Sequence, residues 1–334
     1  LVLGCAAVAG EDEVLVKKKE PELRIDELKQ KPAALVDILW VVDNSGSMYE
    51  EQTSLARNFD RFIGGLTRCR ATTTSTSAAA DLCDFATKKC TVSGATCNPP
   101  DYHIGVVATD VRSSIDSGRL RRAGLCVPAL NAEPANGKYR YCRPSRRAAN
   151  PCAFDAANPD ADRANNVCDM GKSIAFVTPT TPGAASAFGA AVTVGTDGSG
   201  NEQGVRSAAM ALGRDARASQ NRNANSEVCQ GVEEGGWCAA PSDNDGFLRP
   251  DASLFVIFVS DENDGSFGEV SYFYRAFETL KGAGNEGLVS LSAIVGDPDL
   301  DGTGPALGGC LPPDSPIEDS RTAPGWRYMA LAMY

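Results

Sequence analysis

Five short apolar runs constrain the fold of this chain more than any other feature. They are rich in Val and Ile, and they cover residues 35–42, 104–108, 174–177, 254–259 and 288–295. Most are followed directly by Asp, Gly, Pro or Ser, as expected of strands buried on both faces of a parallel sheet. Amphipathic helical patterns lie between them, including Leu55, Phe59, Phe62, Ile63 and Leu66. Strands alternating with such helices predict an α/β fold, in which helices flank a doubly wound, mostly parallel sheet.

The composition restricts the chemistry available to the chain. Its 334 residues include a single histidine, His103, and carry a formal net charge of −11. A single histidine argues against Ser-His-Asp or Cys-His catalysis, and it excludes a zinc site with several histidines from one chain. The acidic charge disfavours nucleic acid and anionic membrane surfaces as partners. We therefore expect chemistry based on oxygen ligands, and we interpret His103, at the start of a predicted strand, as structural.

Twelve cysteines are spread at irregular spacings, and no two form a Cys-x-x-Cys motif. Such spacing favours disulfides over zinc and indicates an oxidising compartment. Eight cysteines from Cys69 to Cys168 can pair among themselves, and Cys229 can pair with Cys238. Cys310 is then left over, and we predict that it pairs with a cysteine beyond Tyr334.

The first residues, "LVLGCAAVAG", resemble the end of a bacterial lipoprotein signal peptide, which is cleaved before a cysteine that is then acylated. This resemblance implies a lipid on Cys5, export through the periplasm and a place at the outer membrane or cell surface. The alternative is a secretory remnant in which Cys5 pairs with another thiol. Residues 11–33 are charged and interrupted by Pro, so we interpret residues 1–33 as signal remnant and tether.

Polar side chains follow several of the predicted strands. Asp43, Ser45 and Ser47 follow the first strand, Asp261 follows a later one, and Thr196 lies in a Gly-rich loop before a predicted helix. The carboxyl ends of parallel strands form the ligand sites of open α/β sheets. Hard cations such as Mg²⁺ prefer oxygen ligands of this kind. Taken alone, Asp43 to Ser47 is also typical of a helix N-cap.

Together, the motif Asp-x-Ser-x-Ser after the first strand, a later loop Thr and a later Asp resemble the metal-ion-dependent adhesion site of von Willebrand factor A domains. The resemblance implies a Rossmann-like sheet and a bound Mg²⁺, Mn²⁺ or Ca²⁺. It also implies that a partner offers a carboxylate to the metal. The implied ligands are Asp43, Ser45, Ser47, Thr196 and Asp261.

Two acids follow the first motif in "SMYEE". Integrin β-subunits have two acids at similar positions, which implies a second cation site that uses Glu50 and Glu51. The alternative is that acids in the first turn of a helix simply complement its dipole.

The resemblance covers residues 34–300, with cysteine-rich insertions at 67–101 and 112–171. These insertions are polar and hold few core formers, so we expect disulfides to stabilise them in place of a core. Residues 301–334 are interpreted as the start of a C-terminal segment.

The site predicted here suits binding rather than catalysis. An enzyme needs a base or nucleophile beside its metal, and these loops offer none of an obvious type. We therefore expect no enzyme but a lipid-anchored adhesin at the cell surface that binds an external ligand or substratum. The overall pattern resembles surface proteins of gliding soil bacteria, which implies a role in gliding motility. The alternative is a periplasmic or outer-membrane scaffold that binds another envelope protein through the same metal site.

Overall fold

The computed structural model describes residues 35–69, 81–112, 116–128, 141–142, 166–215, 237–296 and 325–334. The predicted tether 1–33, Cys5, Cys229 and Cys310 lie outside these residues. In the described part, the strands are β1 (Leu35–Val42), β2 (Cys83–Asp84), β3 (Lys89–Cys90), β4 (Asp101–Ala108), β5 (Ala123–Pro128), β6 (Tyr141–Cys142), β7 (Asn166–Ile174), β8 (Phe176–Val177), β9 (Ser253–Ser260) and β10 (Val289–Val295). The α-helices there are α1 (Tyr49–Arg57), α2 (Phe59–Thr67), α3 (Ala184–Val192), α4 (Gly204–Ala211), α5 (Val270–Glu278) and α6 (Trp326–Met333).

A five-stranded sheet, in the order β10-β9-β1-β4-β8, forms the centre of the fold. All neighbouring strands are parallel except β8, which pairs antiparallel with β4. Strand β1 lies in the middle and is almost wholly buried, with Val42 opposite both Ala108 and Val259. This confirms the predicted mostly parallel sheet flanked by helices.

Successive residues of β1 supply two separate apolar cores because side chains alternate across a strand. On one face Trp40 packs edge-on against Phe62 of α2 and Phe188 of α3, with ring centroids 5.4 and 5.9 Å apart. On the other face Leu39 and Val41 join a cluster that includes buried residues of α4, α5 and α6. Helices therefore cover both faces of the sheet.

The order of the strands places a crevice beside β1. Strand β4 follows β1 in the sheet and lies on one side of it, whereas β9 and β10 lie on the other side. The connections after β1 and β9 therefore leave in opposite directions, and their loops separate at the carboxyl ends of the two strands. Open α/β sheets bind their ligands at such a switch point.

The remaining strands form small disulfide-linked units. Strands β2 and β3 pair antiparallel, and the Cys69–Cys90 and Cys83–Cys97 disulfides link this region. Strands β6, β5 and β7 form a second sheet that carries the Cys142–Cys168 disulfide. Cys238 is also disulfide-bonded. Disulfides thus occur in both predicted insertions, as the cysteine spacing indicated.

Two details differ from the sequence patterns. The single helical stripe from Leu55 to Leu66 is divided between α1 and α2 at Asn58, whose side chain donates a hydrogen bond to the carbonyl of Ser54 (2.8 Å) and ends the first helix. The apolar run 174–177 forms the last residue of β7 and the two-residue β8 rather than one buried parallel strand.

Helix α6, near the end of the chain, packs onto the same domain. Its residues Tyr328 and Leu331 are 1% exposed and belong to the core that α4 and α5 also cover. Arg327 of this helix pairs with Asp264 in the loop after β9 (3.0 Å). The helix thus lies close to the carboxyl edge of the sheet.

Candidate metal centre

Asp43 is the first residue after β1, and its backbone N–H and both carboxylate oxygens are hydrogen-bonded. Its backbone N–H donates to the carbonyl of Val259 (2.9 Å), which extends the pairing of β1 with β9. One carboxylate oxygen accepts the backbone N–H of Ser45 (2.7 Å), and the other accepts the hydroxyl of Ser260 (2.5 Å). The hydroxyls of Ser45 and Ser47 lie 3.2 Å apart. The first loop therefore gathers one carboxylate and two hydroxyls.

The Gly-rich loop that contains Thr196 is attached to this first loop. The side chain of Gln52 donates to the carbonyls of Asp43 (2.9 Å) and Gly195 (2.8 Å), and its oxygen accepts the backbone N–H of Gly195 (3.1 Å). Gln52 is 1% exposed, so these bonds are shielded from water. They bring the loop of Thr196, which is half-buried, to the edge where Asp43 lies.

Asp261 follows β9 directly, as Asp43 follows β1. It is 4% exposed, and its Oδ1 atom is buried without a hydrogen-bond partner. Burial raises the pKa of Asp43, hydrogen bonds from Ser260 and Ser45 oppose that rise, and the charge of Asp261 adds to it. The two carboxylates therefore repel each other at the switch point.

Glu202 is a further acid at this site that the sequence patterns did not single out. It is 1% exposed; its Oε2 atom accepts the hydroxyl of Thr109, and its Oε1 atom is buried without a partner. Burial, and then the nearby charge of Asp43, raise the pKa of Glu202 to about 9. Its only sequence signal is its place, two residues before α4 at the same edge of the sheet.

The other buried aspartates of the described residues all have a basic partner. Arg249 and Lys281 neutralise Asp37, at 2.8 and 3.6 Å, and the remaining pairs are Arg121–Asp116 (2.5 Å), Arg206–Asp215 (3.1 Å) and Arg327–Asp264 (3.0 Å). Within the described part of the chain, Asp43, Glu202 and Asp261 are the buried acids that have no such pair. Buried acids are normally paired or bound to a metal, so these three are candidates for cation binding, although their carboxylate oxygens do not all lie within 4.8 Å of one another.

Glu50 and Glu51 lie in the first turn of α1 and are exposed. Partial burial raises the pKa of Glu51, and the charges of Asp261, Glu50 and Asp43 add to this rise. The same causes, burial and then the charges of Asp43 and Asp261, raise the pKa of Glu262. An acidic rim therefore surrounds the three buried carboxylates, although the second cation site stays a prediction.

A group of cysteines meets the distance requirement for a metal site. The sulfurs of Cys69, Cys90 and Cys97 lie within 4.8 Å of one another. All three belong to disulfides, two to Cys69–Cys90 and one to Cys83–Cys97. Metals bind the free thiolate, so this group offers no ligand while the disulfides are intact. Its soft sulfur atoms would not select Mg²⁺ in any case.

No protein-family model, curated protein or solved structure matches the chain. None of the described helices combines the length and apolar character needed to cross a bilayer.

Proposed function

We propose that the carboxyl edge of the sheet holds a divalent cation and that the domain belongs to the von Willebrand factor A class. The observation that carries this proposal is the set of three buried acids, Asp43, Glu202 and Asp261, which lack a basic partner among the described residues. A cation among them would remove their mutual repulsion. Asp43, Ser45, Ser47 and Asp261 would hold it, and the resemblance assigns Thr196 as the ligand from the third loop.

The ligand chemistry fits a hard cation. Carboxylates and hydroxyls gather here, without a histidine or thiolate, which is the set that Mg²⁺, Mn²⁺ and Ca²⁺ prefer. Ser47 is exposed, so one side of the site opens to solvent. Such a cation would act as a Lewis acid toward a carboxylate of a partner. The protein residues would hold the cation in position.

The biological role that we propose is adhesion. A metal that bridges two proteins needs no base or nucleophile, so we infer a binding protein rather than an enzyme. With the lipid expected on Cys5, the domain would be displayed at the cell surface and would bind an external ligand or substratum, as in gliding motility. Protease treatment of intact cells tests the location, because it would remove a displayed adhesin and spare a periplasmic scaffold.

The substitution Asp261→Asn tests the metal site with little structural change. It removes a charge but keeps the shape, and Oδ1 has no hydrogen bond to lose. We expect Mg²⁺ binding and divalent-dependent attachment of cells to be lost, while the amount of displayed protein stays normal. Asp60→Asn is the matched control because Asp60 is exposed on α2. Normal attachment by a displayed variant that no longer binds metal would remove the site from the adhesion mechanism.

A further inference from the structure

The first insertion has a core made of sulfur. Cys69, Cys83 and Cys90 are buried and packed together, and the partly buried Cys97 lies against them. These four residues, the sulfur cluster, are the only members of that core among the described residues. A chain segment this small normally needs disulfides or a structural metal in place of an apolar core. The same four side chains are suited to either.

The sulfur atoms lie close enough together to share one metal ion. Those of Cys69, Cys90 and Cys97 lie within 4.8 Å of one another, and the sulfur of Cys83 is bonded to that of Cys97. Sulfurs on a tetrahedral zinc ion are about 3.8 Å apart, as a Zn–S bond of about 2.3 Å requires. Opening the two disulfides therefore leaves four thiols that need only small displacements to surround a zinc ion.

The backbone of the cluster is held by hydrogen bonds as well as by the disulfides. Strands β2 and β3 place Cys83 directly opposite Cys90. The backbone N–H groups of Cys69, Cys90 and Cys97 donate to carbonyls of the same insertion, at 2.9, 2.9 and 3.0 Å. A reductant breaks none of these bonds. They keep the four cysteines near one another after the disulfides are opened.

We propose that the sulfur cluster binds one Zn²⁺ ion after an external dithiol has reduced its two disulfides. Each disulfide takes up two electrons and two protons from one dithiol molecule, which itself becomes a disulfide. The four thiols then release their protons and bind the ion as thiolates. Four thiolates form the tetrahedral ligand set typical of a structural zinc site. The site is independent of the proposed cation at the carboxyl edge of the sheet, which has oxygen ligands.

Cys97 is the most accessible member of the cluster. It is partly buried, whereas Cys69, Cys83 and Cys90 are 8%, 7% and 5% exposed. An attacking thiolate therefore reaches the Cys83–Cys97 bond most easily, at the sulfur of Cys97. The two apolar cores of the central sheet contain no cysteine. We therefore expect the sheet and its helices to stay folded when the cluster is reduced.

Titration of the reduced full chain with Co²⁺ and then Zn²⁺ tests the proposal. Tetrahedral thiolate coordination gives Co²⁺ a characteristic visible spectrum, and Zn²⁺ displaces Co²⁺ because it binds such a site more tightly. The cluster variant combines Cys83→Ser with Cys97→Ser and so removes one whole disulfide of the cluster. The matched control combines Cys142→Ser with Cys168→Ser and removes a disulfide of the second small sheet.

The chains are reduced with dithiothreitol, which is then removed before titration. We expect the wild type and the control to give the same Co²⁺ spectrum and to bind one equivalent of Zn²⁺. We expect the cluster variant to bind Zn²⁺ at least about a hundredfold more weakly, since loss of a group that merely orients a ligand already costs about 10–100-fold. Equal Zn²⁺ affinity of the two double variants overturns the proposal.

Alkylation of the reduced wild-type chain locates the ion without a substitution. Iodoacetamide labelling with peptide mapping should show the sulfur cluster protected by Zn²⁺, while Cys142 and Cys168 are labelled at the same rate with and without Zn²⁺. An unchanged labelling rate of the cluster in Zn²⁺ refutes the assignment. Zinc binding by the unreduced chain that the cluster variant loses also refutes it, because the thiolate is the ligand that the proposal requires.

Discussion

Gly198 lies directly against Asn44. Its backbone N–H donates to the Asn44 carbonyl (2.9 Å), and a Cβ atom at residue 198 would overlap the Asn44 carboxamide. Oδ1 of that carboxamide lies 3.2 Å from the hydroxyl of Thr109. The contact therefore sets the distance between the Gly-rich loop and the first loop of the proposed metal site.

We expect Gly198→Ala to separate these two loops and to weaken divalent-cation binding. The added methyl group would overlap the side chain of Asn44, which is buried. Gly200→Ala is the matched control, because a Cβ atom at residue 200 of the same loop meets no other atom within 4 Å. Calorimetric titration with Mg²⁺ should show weaker binding for Gly198→Ala only. Equal affinities for the two variants would contradict a role for this contact.

The metal-free protein should lose stability as the pH rises. The pKa of Glu202 is about 9 in the folded protein and near 4.5 otherwise, so between these values the folded state holds a proton that the unfolded chain releases. Stability is then greatest below about pH 4.5 for this group and declines toward pH 9. The raised pKa values of Asp43 and Glu262 act in the same direction.

Urea denaturation with EDTA at pH 5.5 and 8.5 checks this dependence. We expect a lower midpoint at pH 8.5 and a smaller decline in Glu202→Gln, which has no such proton to lose. Saturating Mg²⁺ should raise the midpoint most at pH 8.5, because a ligand that binds only the folded state stabilises it by about 2.7 kcal/mol at a hundred times its Kd. A midpoint that rises with pH in EDTA would be inconsistent with the buried acids described here.

The sheet and the first part of the site could be predicted from the sequence. Short Val- and Ile-rich runs define β1 and β9, and parallel strands necessarily bring their carboxyl ends, with Asp43 and Asp261, to one edge. The position of each aspartate directly after its strand was therefore enough to predict that the two lie at the same edge of the sheet. That a metal binds between them, and that Thr196 contributes to it, stays a prediction.

Glu202 could not be predicted in the same way. It faces the site because Thr109, 93 residues away in sequence, bonds to its carboxylate. A loop has no periodicity from which the direction of a side chain can be read. The pattern from residue 174 to 177 shows the same limit, since an apolar run cannot reveal that β8 pairs antiparallel at the edge of the sheet.

The cysteines of the first insertion should be unavailable to metals and alkylating reagents in the native protein. Cys69–Cys90 and Cys83–Cys97 occupy all four sulfurs. We expect no iodoacetamide labelling of these residues before reduction, and labelling of all four after reduction in denaturant. Peptide mapping under non-reducing conditions should recover the two linked pairs. Zinc binding by the unreduced protein that is lost in a Cys97→Ser variant would contradict this view of the cluster.

A buried ionic network at the opposite edge of the sheet provides a test of stability apart from the metal. Asp37 of β1 is fully buried, and its carboxylate accepts the backbone N–H and the Nε–H of Arg249 at 2.7 and 2.8 Å. Lys281, whose side chain is also fully buried, lies 3.6 Å away. Burial lowers the pKa of Lys281, and the charge of Asp37 opposes this shift. Asp37 therefore compensates the charges of the fully buried Lys281 and the partly buried Arg249.

We expect Asp37→Ala to destabilise the fold by about 3–5 kcal/mol, because it leaves the fully buried Lys281 without its carboxylate partner. Asp101→Ala is the matched control: Asp101 also pairs with Arg249, at 3.4 Å, but its side chain is 43% exposed. An exposed pair contributes about 0–1 kcal/mol, so the urea midpoint of this variant should lie close to that of the wild type. Urea denaturation in the presence of EDTA measures both variants without a contribution from bound metal. A similarly small loss of stability in the two variants would mean that water compensates the charges of Arg249 and Lys281. The network would then not stabilise this edge of the sheet.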